Sequence, residues 1–285
     1  MTALTVRRPL IDIAALELPD LWLAGDAFRT HLFNTLSQSF PVGERYFIDA
    51  VREALPLIQD PLLAEEIRLF IGQEATHSGL HRRLNTRLDE QGLRNWVEPA
   101  IGWRVRLTRR MGVKGKLAIT MAYEHFTATL GDALLRHPEW LDGVSEPMRV
   151  LWQWHAVEEC EHRAVAAHAY HALGGGEIRR VGWFFYASLM FLLDTSLQTI
   201  DNIRRSGHFW RMTTWRQAAA FLFGRSGVVW ELVPAALAYL RPGFVPRNDA
   251  ADAQARHWLE QHAAWLDVHG TPSHAAHLQA PPPRA

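Results

Sequence analysis

The chain has a single cysteine, Cys160, in 285 residues. No intramolecular disulfide can form and no CxxC pair is present to build a zinc knuckle, so a reducing, cytoplasmic setting is expected. Net charge is missing as well: lysine plus arginine and aspartate plus glutamate number 30 each. That balance gives no electrostatic footprint for nucleic acid or for an anionic membrane. The amino-terminal stretch has Arg7 and Arg8, but then Pro9, Asp12 and Glu17, and so lacks the apolar core of a signal peptide. The most apolar run, residues 181–193, falls short of the roughly 20 residues that cross a bilayer. It is expected as a buried helix packed over the core, with a membrane not expected as partner. The zinc-protease pattern His-Glu-x-x-His is absent, and no stretch alternates apolar and polar residues with a period of two. What is present, 48% apolar and 21% charged residues, suffices for a core in an all-α protein.

Residues 1–19 read as an irregular arm. Leu21, Leu23, Phe28, Leu32, Phe33 and Leu36 have helical period, and Pro41 is expected to interrupt that helix and start a second piece carrying Glu44, Phe47, Ile48 and Val51. Asp60-Pro61 is a helix start, with Asp60 as cap, for a helix to about Leu88. Residues 91–113 connect, with room for a short helix, and Lys114–Leu135 is a strong helix stopped by His137-Pro138. Another opens at Ser145-Glu146-Pro147 and closes at Gly174-Gly175-Gly176. Helices over 217–240 and 249–268 follow. The expected organisation is one helical domain over 20–270 and a disordered, proline-rich tail over 271–285.

The chemistry is concentrated in Trp152–His162. His155, Glu159 and His162 are spaced by four and three residues, which puts all three within about 60° of arc on a helix. Their neighbours Trp152, Trp154 and Val157 argue against a solvated face, and buried ionisable groups need partners or a cation. Glu159 and His162 form a Glu-x-x-His, and the Asp60 helix supplies another in Glu74 and His77. A solitary glutamate among apolar neighbours precedes each, Glu44 by 30 residues and Glu124 by 35. Read alone, Glu44 is a helix-start carboxylate and Glu124 the partner of a basic side chain; the repeat favours ligands. Glu158 or Glu161 competes with Glu159 for the ligand role, and Glu158 is otherwise an acceptor that orients an imidazole. His81 and His125 read as outer or surface groups, and Cys160 as a small buried hydrophobe.

This arrangement resembles the ferritin-like carboxylate-bridged dimetal proteins, in which four helices point such groups into a bundle core. The resemblance implies a ferritin-like four-helix bundle with additional C-terminal helices, holding two iron ions, with manganese or zinc as substitutes. The added imidazole makes His155-x-x-x-Glu159-x-x-His162, similar to the di-iron arylamine N-oxygenases. Over residues 30–245 the chain resembles a bacterial family of predicted metal-dependent hydrolases. That likeness is carried by Ser39-Phe40-Pro41-Val42-Gly43-Glu44, Phe70-Ile71-Gly72-Gln73-Glu74-Ala75-Thr76-His77, Glu124-His125-Phe126-Thr127-Ala128 and Trp154–His162. The leading expectation is dioxygen activation on a small apolar or aromatic substrate, with an unidentified electron donor and a homodimer left open. The alternatives are hydrolysis by a metal-activated water and a non-catalytic metal-binding bundle.

Overall fold

Proline at 41 has no amide to bond the Ser37 carbonyl, and such a gap normally ends or kinks a helix. Here the side-chain amide of Asn85 donates to that carbonyl at 2.9 Å, and the helix continues unbroken over Ala27–Ala54. Expecting an interruption at Pro41 was therefore wrong, because a neighbouring helix supplies the missing donor. In chain order the computed structural model, which describes residues 4–268, contains β1 (Arg7–Pro9), α1 (Ala27–Ala54), α2 (Pro61–Glu90), α3 (Val97–Leu107), α4 (Val113–Arg136), α5 (Glu146–His162) and α6 (Val165–Ala172). These are followed by α7 (Glu177–Arg205), α8 (Met212–Phe223), α9 (Val228–Tyr239), α10 (Asp249–Gln261) and β2 (Leu266–Val268).

The molecule is an all-α helical bundle with further helices after it. Asp60 caps α2 as expected, accepting from the Leu62 amide at 2.9 Å with Pro61 in the first turn. α1 packs along α2, α4 along α5 and α6, and α1 against α4, which closes a four-helix core. Gly131 lets α4 and α5 approach closely, since a Cβ there would sit 2.9 Å from the Ala156 carbonyl oxygen. The buried apolar side chains fall into two clusters. On α1 the first ends at Leu36 and the second begins at Tyr46; on α2 the division lies between Leu80 and Phe70. The gap between the clusters holds Glu44, Glu74 and His77, so the polar layer crosses the middle of the bundle.

Four other expectations need correcting. The helix of His155 does not run to the glycines: it stops at His162, where the Arg163 side chain donates to the Cys160 carbonyl at 2.6 Å and also pairs with Asp252. The 217–240 helix is two, α8 and α9, split at 224–227. The 249–268 helix ends at Gln261, and residues 266–268 instead pair antiparallel with residues 7–9 of the supposed irregular arm. The apolar run 181–193 is not buried all round, because Phe185 and Leu189 on the outer face of α7 are more than half exposed. By length and composition Met212–Tyr239 is apolar enough to cross a membrane, although it folds as the α8–α9 pair. The tail expected over 271–285 lies outside the described residues.

Candidate metal centre

All seven singled-out side chains reach the polar layer and are buried: Glu44 from α1, Glu74 and His77 from α2, Glu124 from α4, and His155, Glu159 and His162 from α5. They do not sort by hairpin as their sequence order suggests. Glu44, His77 and His155 offer ligand atoms within 4.8 Å of one another, and Glu74, Glu159 and His162 form a second such group. Glu74 and Glu159 of the second group also reach towards the first. Oε1 of Glu74 is 3.6 Å from His77 Nδ1 and 3.2 Å from His162 Nε2. Oε1 of Glu159 is 3.1 Å from His155 Nε2 and 3.6 Å from His77 Nδ1, while its Oε2 is 3.4 Å from His162 Nε2. Glu124 belongs to neither trio but places Oε2 3.4 Å from His162 Nε2.

Each imidazole is held by its outer nitrogen. Glu158 meets His77 Nε2 at 3.0 Å, His81 Nε2 meets His155 Nδ1 at 2.9 Å, and Gln73 Oε1 meets His162 Nδ1 at 3.2 Å. The inner nitrogens, His77 Nδ1, His155 Nε2 and His162 Nε2, have no hydrogen bond among the described residues, and neither do the oxygens of Glu44, Glu74 and Glu124. Buried polar atoms are rarely left so unless an unseen partner satisfies them. The set fits a pair of divalent cations: its four carboxylates carry the charge that two such ions neutralise, and its imidazoles are fixed as ligating imidazoles are.

Without an ion, the charges compete. Burial, reinforced by Glu74, pushes the Glu44 carboxyl well above the ordinary carboxylate range, and burial with Glu159 does the same to Glu124. Burial also opposes the charge on Glu159, but His162, His155 and His77 overcome it and hold that group well below its usual value. Burial disfavours the His77 imidazolium, yet its contacts with Glu158, Glu159 and Glu74 hold it well above the usual histidine range.

A further layer orders these contacts. Arg7, on β1, forks onto Glu161 at 2.7 and 3.1 Å and reaches Glu158 at 3.5 Å. Gln73 donates to Glu161 at 3.0 Å. His81 contacts Ser37 Oγ at 2.9 Å, and that hydroxyl donates to Asn85 Oδ1 at 2.7 Å. The Asn85 amide that bridges the Pro41 gap is thus also the outermost support of His155. Glu158 takes the orienting role, and Glu161 faces Arg7. His125 turns away to the Ala235 carbonyl at 2.8 Å, and Cys160 is a buried thiol, its pKa pushed up to about 12 by burial. The sequence reading missed Arg7, Gln73, Ser37 and Asn85. Only Gln73, beside Glu74 in the quoted motif, carried a local hint.

Two cavities meet the layer. One of about 440 Å³ is almost wholly apolar and reaches His155 and Glu159. A smaller one, about 90 Å³, reaches Glu44 and Glu159 past the Arg104–Asp194 ion pair. No curated protein and no solved structure matches the chain. A family model described as predicted metal-dependent hydrolase matches residues 5–250, which include every residue of this layer, and the chain belongs to that family.

Proposed function

We propose that the protein is a hydrolase with two divalent metal ions held by Glu44, Glu74, His77, Glu124, His155, Glu159 and His162. The observation that carries this reading is the inward set of unsatisfied atoms: three imidazole nitrogens and three carboxylates, each imidazole pinned from behind. Glu74 and Glu159 approach imidazoles of both trios and would help to hold both ions. When bound, the cations supply Lewis acidity and a water nucleophile at neutral pH. The chain's own residues do the positioning. Glu158, His81 and Gln73 fix the rings, the apolar cavity wall excludes bulk water from one side, and the smaller, more polar cavity lets single waters approach from the other. The family's description supports hydrolysis.

A second reading, dioxygen activation by two irons, rests on the donor set alone, which suits iron and manganese as well as zinc. The test is metal analysis of the purified protein followed by assay of ester, amide and phosphoester panels with and without dioxygen. Two metals per chain and turnover that persists anaerobically, and is lost in Glu159→Ala, support hydrolysis. Turnover that requires dioxygen and an electron donor, with no hydrolysis of any panel member, overturns it.

A further inference from the structure

The larger cavity is long. Its wall follows α1 from Phe28 to Phe40, twelve residues or about 18 Å of helix axis. At one end it meets His155, Glu159 and Thr127; at the other it closes on Phe28, Trp140, Phe221 and Val228. Between them the wall is leucine, phenylalanine and tryptophan, and its polar members, apart from the metal end, are hydroxyls of α7 such as Thr199, which bonds Thr35. Its volume of about 440 Å³ lies in the range of small-molecule sites, about 300–1,000 Å³. The exposed members of the lining, Leu192, Ser196, Trp215, Ala219 and Phe223, all come from α7 and α8, so the cavity reaches the surface between those helices. No charged side chain except Glu159 faces the cavity.

We infer that this cavity binds one extended hydrocarbon chain, which enters between α7 and α8 and carries its polar, reacting end to His155 and Glu159. The inference rests on the proposed metal centre and names its substrate class: an acyl ester or amide with a long unbranched chain. An elongated apolar slot with a single polar end discriminates by chain length, because each methylene withdrawn from water adds a similar increment of binding. A single aromatic ring would leave most of the slot unfilled. The smaller cavity shares Phe40, Thr127, Glu159, Phe191 and Thr195 with the long one, so Glu159 is reached from both cavities.

The test uses the metal-loaded protein and a homologous series of n-alkanols, which carry no group to hydrolyse and no carboxylate to seize a metal. Displacement of a fluorescent fatty-alcohol analogue should show affinity rising about fourfold per methylene, until the slot is filled and the gain stops. Ala219→Trp places its bulk at an exposed position in the mouth, where the fold tolerates it. It should weaken binding of the longer alcohols at least tenfold while leaving metal content and melting temperature unchanged. Affinity that does not depend on length, or an Ala219→Trp protein that binds as the parent does, overturns the inference. Acyl esters of the same lengths separate this result from the hydrolase reading. Length-dependent alcohol binding with no ester hydrolysed removes the reaction and leaves the chain site standing. Hydrolysis indifferent to length removes the chain site and leaves the reaction.

Discussion

Replacing Arg7 by methionine keeps much of the side-chain bulk and removes the guanidinium that faces Glu158 and Glu161. Those carboxylates are 0% and 8% exposed, and the arginine side chain itself is 12% exposed. Removing one partner of a buried ion pair costs about 3–5 kcal/mol, since the charge left behind is uncompensated. Glu161 keeps a donor in Gln73 and Glu158 keeps His77, so the lower end, about 3 kcal/mol, is expected here. The damage should spread inward. Glu158 orients His77, and Glu161 orients Gln73, which in turn holds His162. Disturbing such outer partners typically lowers metal affinity about 10–100-fold. Urea unfolding of the metal-free protein reads the first effect, and competition with a chromophoric chelator reads the second. The double variant Arg7→Met with Glu161→Gln should regain part of the stability, because one stranded charge has gone. Stability within about 0.5 kcal/mol of the parent, the scale of an ordinary surface change, together with unaltered metal affinity, would show that Arg7 does not brace the centre.

Glu74→Ala and Glu159→Ala should each reduce the metal content by at least one ion per chain, measured by elemental analysis; retention of both ions at parental affinity in both variants removes them from the candidate ligand set. Gly131→Ala should destabilise the fold by about 1–3 kcal/mol in thermal unfolding, because the new methyl meets the Ala156 carbonyl and backbone cannot step aside. Burial, with a smaller contribution from His208, lowers the His31 pKa to about 4 from 6.5, so below pH 6.5 the unfolded chain takes up a proton that the folded chain refuses. Stability of the metal-free protein should therefore fall as pH drops from 6.5 towards 4, by about 3 kcal/mol from this residue when complete. His31→Gln should lack that part of the acid slope, and equal slopes in the two proteins would contradict the assignment.

The seven candidate residues were legible because helical geometry is local: spacings of three and four set one stripe, and apolar neighbours show that the stripe is buried. Spacing could not show how the stripes interleave. Glu74 sits with His162, and His155 with Glu44, because the two hairpins pack against each other, α1 on α4, and send their side chains into one shared layer. Pro41 misled for a similar reason. Its missing amide is visible in the sequence, but the Asn85 side chain that fills the vacancy lies 44 residues away and belongs to another helix. The outer face of α7 misled differently. Phe185 and Leu189 belong to an apolar run, yet they point outward, and an apolar run too long for one buried face does not reveal which residues stay outside. Arg7 gave no local signal at all, since three residues of strand acquire their partner only from the far end of the described chain.

That pairing has a consequence in time. Every candidate ligand has been synthesised once the chain reaches His162, but β2, the strand that pairs with β1 and so holds Arg7 in place, follows about a hundred residues later. Domains fold as they emerge during synthesis, at about 5–20 residues per second, so several seconds separate the two events. On the proposed reading, an ion met in that interval would find His77 and His162 held by Glu158 and Gln73 without Arg7 fixed behind them, and docking of the last strand would tighten the site. A chain ending at His262 should preserve this early state: the same ions bound, but exchanging faster than in the parent when followed by isotope replacement.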